Sequence, residues 1–418
     1  MNTELIRSGF VVIAIIFLCF ISLREKQNTK LNWSIFYSSL YTIVSLPLVN
    51  LICTHLNLWQ FTNDGIPSPF IPSDILFVWV VAWGVIPIFF LEKKHFPILL
   101  IAIFWIDFLL MPLLERYGIL SLSPYWLIGE LLLILFVFVP AYLWAYVAYR
   151  NIYTGIRAVF QVFVMIGIFI VGLPYVLHNY GLLDSFHFKW SSIYFQILLI
   201  ISFPALVAVL DLVQTGKGTP FPYDKTDRLV TNGVYAYCRN PIQWSFTLMF
   251  VCLAMYHSSY YFLIGSIVAI AYSIGVADFH ESADMKTRFG VKWTSFINHT
   301  PRWYFQWKPK GILAGTIYFD TKCSQCSAIA DWFRSKDTQN LTIEAAYNYE
   351  GPPIQNVTYV TNDGEKYEST KAIARALEHI NLGYAVVGWF IRFIGINFIL
   401  QAIVNTMDVR KINQTCEK

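Results

Sequence analysis

Charge is what this sequence has least of. Asp, Glu, Lys and Arg make up 13% of its 418 residues, against 56% apolar residues, and mean hydropathy is +0.52. Water-soluble domains carry about 25% charged residues, so that class is excluded and a polytopic membrane protein is indicated. The net charge of +4 is spread over loops and makes no nucleic-acid patch. Cysteine is also sparse: Cys19, Cys53 and Cys252 sit in apolar runs as small packing residues, Cys323 and Cys326 form a CxxC, and Cys238 and Cys416 stand alone. That usage excludes a secreted disulfide framework. The opening run SGFVVIAIIFLCFISL has no strong basic lead and is followed by Arg24-Glu25-Lys26, not a small-x-small site, so an uncleaved first span is expected. Repeats and low-complexity tracts are missing as well.

Long apolar runs are what the chain has instead. A span needs about 20 mostly apolar residues, and nine segments qualify or nearly do: 8–23, 33–56, 74–92, 96–114, 124–148, 157–177, 191–213, 241–257 and 260–279. Pro87, Pro97, Pro112, Pro140 and Pro174 soften their boundaries, and Trp59, Trp79, Trp83, Trp126, Tyr149 and Trp190 near run ends suit the headgroup layer. With the N-terminus outside, one side holds Arg24, Lys26, Lys30, Lys93, Lys94, Arg150, Arg157, Lys217, Lys225, Arg228 and Arg239, the other only Arg7, Arg116 and Lys189. The positive-inside rule then places the 216–240 loop and everything after 279 in the cytosol. Asp107 and Glu130 fall within spans, where an acid either hydrogen-bonds between helices or forms the polar end of a pocket for an amphipathic substrate.

The polar island Gly216–Trp244, GKGTPFPYDKTDRLVTNGVYAYCRNPIQW, interrupts two apolar runs. Gly216 and Gly218 permit close backbone approach, Pro220, Pro222 and Pro241 stiffen the path, Arg239 is a fork of donors suited to a carboxylate, and Tyr235 and Tyr237 offer ring faces or hydroxyls. A basic interfacial loop would use the same residue types, and a lone GxG outside a strand–helix context is a weak signal. The spacing GxGTPxPxD…RLVTxGxYxYxRNP resembles the cofactor motif of integral-membrane methyltransferases related to isoprenylcysteine carboxyl methyltransferase and phospholipid N-methyltransferases. A second half follows in order at His280-Glu281, Phe289-Gly290, Trp293 and Pro301-Arg302, so the resemblance covers about 190–305. It implies a cytosolic S-adenosylmethionine site contacted by Gly216, Gly218, Leu229, Val230, Gly233, Tyr235, Tyr237, Arg239, Asn240, Pro241 and Glu281, with His280 or Asp278 placed to act as a base. The chain has His280-Glu281 where the family has two acids, Val234 where it has Pro, and Ile242-Gln243 where it has Met-Tyr. These departures leave the acceptor open among lipophilic or small thiols, amines and carboxyls.

Past Pro309 the composition changes. TIYFD leads as a strand into CSQC, followed by the helical SAIADWFRS, the strand VTYVT, an Asn-Asp-Gly turn at 362–364 and the returning strand KYES. A strand feeding a CxxC at a helix start is a redox arrangement, with Cys323 as nucleophile and Cys326 as resolving thiol. Zinc would need further ligands, for which only Cys416 or His379 are at hand. The order DxxCxxC, helix, strand, turn, strand resembles the DCC family of thiol-disulfide oxidoreductase-like proteins over about 315–418, carried by Asp320, Cys323 and Cys326. Helical segments at 369–380 and 383–406 close the chain, the latter reading as an amphipathic helix interrupted by Arg392 and Asn397.

The expected architecture is thus an α-helical polytopic membrane protein of about nine transmembrane helices with a small C-terminal α/β thioredoxin-like domain. Its parts are 1–190, helices of unassigned role; 191–302, a methyltransferase core; 303–314, a linker; and 315–418, the redox domain. The leading functional expectation is methyl transfer from S-adenosylmethionine, without a metal, to an acceptor at the lipid bilayer, with a thiol reductant serving the redox domain. The alternative makes the thiol oxidoreductase primary and the helices its anchor or quinone-facing unit.

Overall fold

The computed structural model describes residues 3–24, 29–63, 66–68, 70–93, 96–184, 192–221, 224–321 and 324–406. The side chains of 3, 21–24, 29, 63, 66–68, 92–93, 179, 272 and 276–281 lie outside that description. Contacts divide the chain into two units, one of 1–186 with 220–224, the other of 187–219 with 225–418.

The first unit is built on α1 (Thr3–Arg24), α2 (Thr29–His55), α3 (Ser73–Leu91), α4 (Phe96–Arg116), α5 (Trp126–Arg150) and α6 (Thr154–His178). Three prolines that soften the expected boundaries do not end these helices. Pro87, Pro140 and Pro174 each follow a π-helical stretch, at Val80–Val85, Ile134–Phe138 and Gly167–Gly172. Proline cannot donate to the carbonyl four residues back and its ring crowds it; a widened turn ahead of the ring lets the helix continue. A small antiparallel sheet absent from the expectations, ordered β2 (Ile66–Ser68), β1 (Trp59–Asn63), β3 (Leu120–Leu122), closes one end. Trp59 in β1 is buried, donates to Asn50 Oδ1 at 2.9 Å and lies over Gly129, where a Cβ would sit 2.2 Å from its ring. Next to Gly129, Glu130 hydrogen-bonds Asp107 of α4, which also pairs with Trp79 and Trp83 of α3. The two acids therefore link three helices, α3, α4 and α5.

Many apolar side chains of these helices face outward. Ile98, Ile101, Trp105, Ile106 and Leu109 of α4 are all more than half exposed, a stripe that water would not tolerate and lipid does. Among the described residues six helices are long and apolar enough to cross a bilayer, α2 to α6 and α7 (Ile193–Gln214), or seven if a bent pair near the C-terminus counts as one. The protein is a mostly helical, polytopic membrane protein. The other expected spans are also helical: α8 (Pro241–His257) has 17 residues, short of the ~20 that a perpendicular crossing needs, while α9 (Tyr261–Tyr272) runs on through a π-helical stretch, Ser273–Ala277, into the next helix, with its apolar part over Tyr261–Gly275.

The second unit joins α7, α8 and α9 to α10 (Asp278–His299), which is kinked at Gly290 (φ +52°), and to a four-stranded sheet. The sheet order is β5 (Leu341–Ala345), β4 (Gly315–Phe319), β6 (Thr358–Thr361), β7 (Lys366–Glu368). Strands β4 and β5 are parallel and the remaining pairs antiparallel. The hairpin turn has Gly364 at φ +88° as the Asn-Asp-Gly signal predicts. Strand β5 is an addition: LTIEA was not anticipated between the CxxC helix, α11 (Ser324–Arg334), and VTYVT. The closing segments are α12 (Thr370–Leu377), α13 (Leu382–Arg392) and α14 (Ile394–Thr406). The single amphipathic helix expected over 383–406 is corrected to two helices meeting at 83°. The cause is that Arg392 and Asn397 point inward, Arg392 into a buried ion cluster and Asn397 to Thr370 Oγ1 at 3.0 Å. Residues 303–314 are tied down as well: Gln306 N donates to Tyr237 O, Leu382 N to Trp307 O, and Ile312 is buried.

Candidate functional site

The island begins where α7 ends. The Asp211 carbonyl accepts the N–H groups of Thr215 and Gly216, and Gly218 N donates to Leu212 O. Both glycines are then pressed against their own loop. A Cβ on Gly216 would sit 2.7 Å from Leu212 O and 2.8 Å from Thr226 Cγ2; on Gly218, 2.6 Å from Thr226 Cα. The close approach they permit is between the two arms of the loop, closed by Asp227 N donating to Gly216 O at 2.7 Å. Val230 is buried against Gly216, and Leu229 is half-buried.

The next turn, Gly233–Ala236, rests on α7. Gly233 has φ +61° and Val234 N donates to Asp211 Oδ2 at 3.1 Å. Val234 and Ala236 enter a core with Val207 and Ala208 of α7, Ile312, and Ala385 and Trp389 of α13, and half-buried Tyr235 packs against it. Tyr237 is fully buried, donates from its hydroxyl to Glu378 O at 2.8 Å and meets Trp389 edge-on at 5.7 Å. Burial and the nearby Glu378 carboxylate push that hydroxyl above its ordinary range, so it stays a neutral donor. Burial likewise pushes the Cys238 thiol up to about 11, which keeps it protonated at neutral pH. Asn240 precedes Pro241, the first residue of α8; Arg239 and Asn240 are half-buried.

The second motif half comes to the first. Arg239 N donates to Pro301 O at 2.9 Å, Gln306 Nε2 to Ala236 O at 2.7 Å, and Cys238 Sγ approaches Arg302 O. Lys225 bonds Asp284 of α10 at 2.8 Å and holds that carboxyl below its usual range. Arg288 donates to Thr226 O. Along this seam, Trp244, Thr247 and Leu248 of α8, Ile270 of α9, Ile274 and Trp303 line a cavity of about 440 Å³. The wall is almost entirely apolar, with Trp244 edge-on to Phe305 at 5.0 Å. His280 and Glu281 lie in the first turn of α10, and their side chains are among those outside the described residues.

Four charged residues lie behind the island, three of them not singled out in the sequence and the fourth, Arg392, read there as an interruption of an amphipathic helix. Asp211, Arg375, Glu378 and Arg392 are each at most 4% exposed. Arg392 bonds Asp211 Oδ1 at 2.8 Å and Glu378 Oε1 at 2.7 Å; Arg375 bonds Glu378 Oε2 at 3.0 Å and lies 3.4 Å from Asp211 Oδ1. Two anions meet two cations, which is how a protein interior tolerates charge. The available signal was Asp211 itself, an ionisable residue in an otherwise uncharged run.

In the sheet-bearing part, Cys326 lies in the first turn of α11, buried with Phe319, Ala330 and Phe333; Cys323 and Cys416 fall outside the described residues. His379, weighed above as a zinc ligand, has Nδ1 bonded to Gln339 O and Nε2 to the Tyr359 hydroxyl, both at 2.7 Å. Both ring nitrogens are therefore engaged. Among the described residues no group of three or more His, Cys, Asp and Glu is arranged to hold a metal ion.

Comparison with known proteins adds one finding to this geometry. No curated protein and no solved structure matches the chain. Residues 191–292, which run from the start of α7 into α10 and include the whole island, match the model of the phospholipid methyltransferase family.

Proposed function

We propose that the chain is a membrane methyltransferase that uses S-adenosylmethionine and methylates a lipophilic or small acceptor carrying a thiol, amine or carboxyl group. The observation that carries this reading is the joining of the two motif halves, 225–241 and 284–306, by backbone and ionic bonds beside an apolar cavity. The residues present fit such a cofactor: half-buried Arg239 offers a guanidinium fork for a carboxylate, Tyr235 and Asn240 offer polar groups, and the aromatic walls suit an adenine or an acyl chain. Glu281 is assigned to the cofactor's amino group or ribose, and His280 to proton removal from an acceptor that needs it.

The cofactor, when bound, supplies a sulfonium methyl that is already activated. The chain's own work is then to orient the acceptor in line and to exclude water. The apolar cavity, open to a ligand and lined by residues of α8 and α9 with Ile274 and Trp303, offers a surface for the apolar part of the acceptor. The asymmetry of Lys and Arg between loops supports a cytosolic island, where the cofactor is made.

The full-length protein, given methyl-labelled cofactor and a membrane extract, is expected to yield a labelled product. Arg239→Ala and Glu281→Ala should each lower the rate by roughly 100-fold, the scale on which misplacing a reactant acts. Undiminished transfer in both variants would sink the reading.

A second activity is favoured by one feature of the sheet-bearing part. Strand β4 runs directly into the CxxC, α11 connects it to the parallel β5, and Cys326 is buried as a resolving thiol would be. A mixed sheet of this kind supports the thioredoxin-like, DCC-type assignment of 315–418 and a thiol-disulfide role that keeps a thiol acceptor reduced. Cys326→Ser should trap a mixed disulfide through Cys323; no trapped adduct in a membrane lysate would count against it.

A further inference from the structure

We infer that Asp211 is a positioning residue for the island, and that the carboxy-terminal arginines Arg375 and Arg392 hold it in that role; this rests on the reading above that the island is the cofactor's site. Asp211 touches the island at two places. Its carbonyl caps the entry at Thr215 and Gly216, and its Oδ2 accepts Val234 N–H in the middle. Gly233 fits only because it has no side chain: an added Cβ would lie 2.0 Å from Oδ2. The carboxylate is therefore seated on the backbone immediately before Tyr235, Tyr237 and Arg239.

The seat is set from the other side. Oδ1 of Asp211 faces Arg392 at 2.8 Å and Arg375 at 3.4 Å. The same arginines grip Glu378, and the Glu378 carbonyl accepts the Tyr237 hydroxyl. The island is thus pinned at Val234 and at Tyr237 to one charge cluster, with its cations supplied by α12 and α13. Apolar residues could fill this volume at no greater cost in stability. What they could not supply is direction: the charge-assisted hydrogen bonds from Arg392 to Asp211 and from Arg375 to Glu378 fix angles as well as distances. On this account the carboxy-terminal segment completes the methyl-transfer site, irrespective of any thiol chemistry it performs.

The experiment uses the full-length protein in detergent, comparing Asp211→Asn, Arg392→Met and Arg392→Lys with Phe61→Leu, a change in the core of the first unit. Two quantities are read: the Kd for S-adenosylmethionine, and hydrogen–deuterium exchange across residues 228–241 without cofactor. Asp211→Asn and Arg392→Met should weaken binding about tenfold or more, as lost charge-assisted bonds do, and speed exchange in 228–241. Arg392→Lys should restore part of both, while Phe61→Leu lowers the melting temperature and moves neither. Exchange in 228–241 that stays at the wild-type level in Asp211→Asn and Arg392→Met would overturn the positioning role. Wild-type protein that does not bind the cofactor would overturn the functional reading alone, because the exchange arm needs no cofactor.

Discussion

A methyl group on Gly233 would have to occupy space 2.0 Å from Asp211 Oδ2, at a φ of +61° that side chains rarely adopt. Gly233→Ala is therefore expected to expel the carboxylate from its seat and destabilise the protein by about 2 kcal/mol or more, the scale of combined backbone strain and a broken buried network. A thermal melt in detergent checks this; Gly9→Ala, where nothing lies within 4 Å of the new carbon, should serve as the silent comparison. Gly233 was legible in the sequence as part of a motif, but its reason was not. The partner that demands a glycine is 22 positions away, in an apolar run where a single aspartate reads as an isolated exception. Gly216 and Gly218 were legible in the same partial way: the need for close approach is real, and what approaches is the loop's own second arm at Lys225 and Thr226.

At the scale of elements, His379 clamps the end of α12 to two strands. Its ring bridges the Gln339 carbonyl, just before β5, and the Tyr359 hydroxyl in β6, and Gln339 N donates back to His379 O. Burial lowers the ring's pKa from 6.5 to about 4, so the folded state keeps it neutral. Above pH 6.5 the ring is neutral folded or unfolded and costs nothing. Between pH 6.5 and about 4 only the unfolded chain takes up the proton, so stability falls as pH falls, by about 3 kcal/mol in all. Denaturation followed at pH 7 and pH 5 should show about 2 kcal/mol of this loss, and His379→Gln should flatten it while lowering stability at pH 7. The elements around this clamp were unevenly legible. The hairpin β6–β7 announced itself through alternation and Asn-Asp-Gly, whereas the five residues of β5 alternate too weakly to stand out. The bend between α13 and α14 was hidden because Arg392 and Asn397 read as a polar face, when Arg392 instead finds buried Asp211 far along the chain and Asn397 bonds half-buried Thr370.

The whole molecule is a set of membrane helices whose existence followed from apolar run length, with π-turns carrying three of them past their prolines. Composition could reveal the class, but the packing of 315–406 onto α7 depends on pairings 160 to 180 residues apart, such as Arg375 with Thr215 and Arg392 with Asp211. No local pattern reports contacts at that range. A protein cut after residue 314 would leave Asp211, now 0% exposed, with neither of its arginines and would uncover Tyr237 and Ile312. It is expected to elute as aggregate in detergent size-exclusion chromatography under conditions where the full chain should elute as a monodisperse peak; a well-behaved 1–314 fragment would contradict this. The charge cluster also bears on how such a chain can change over generations. A recombination that exchanged the last hundred residues for an unrelated domain would strand a buried carboxylate on one side of the junction, so the two parts are expected to be inherited as one.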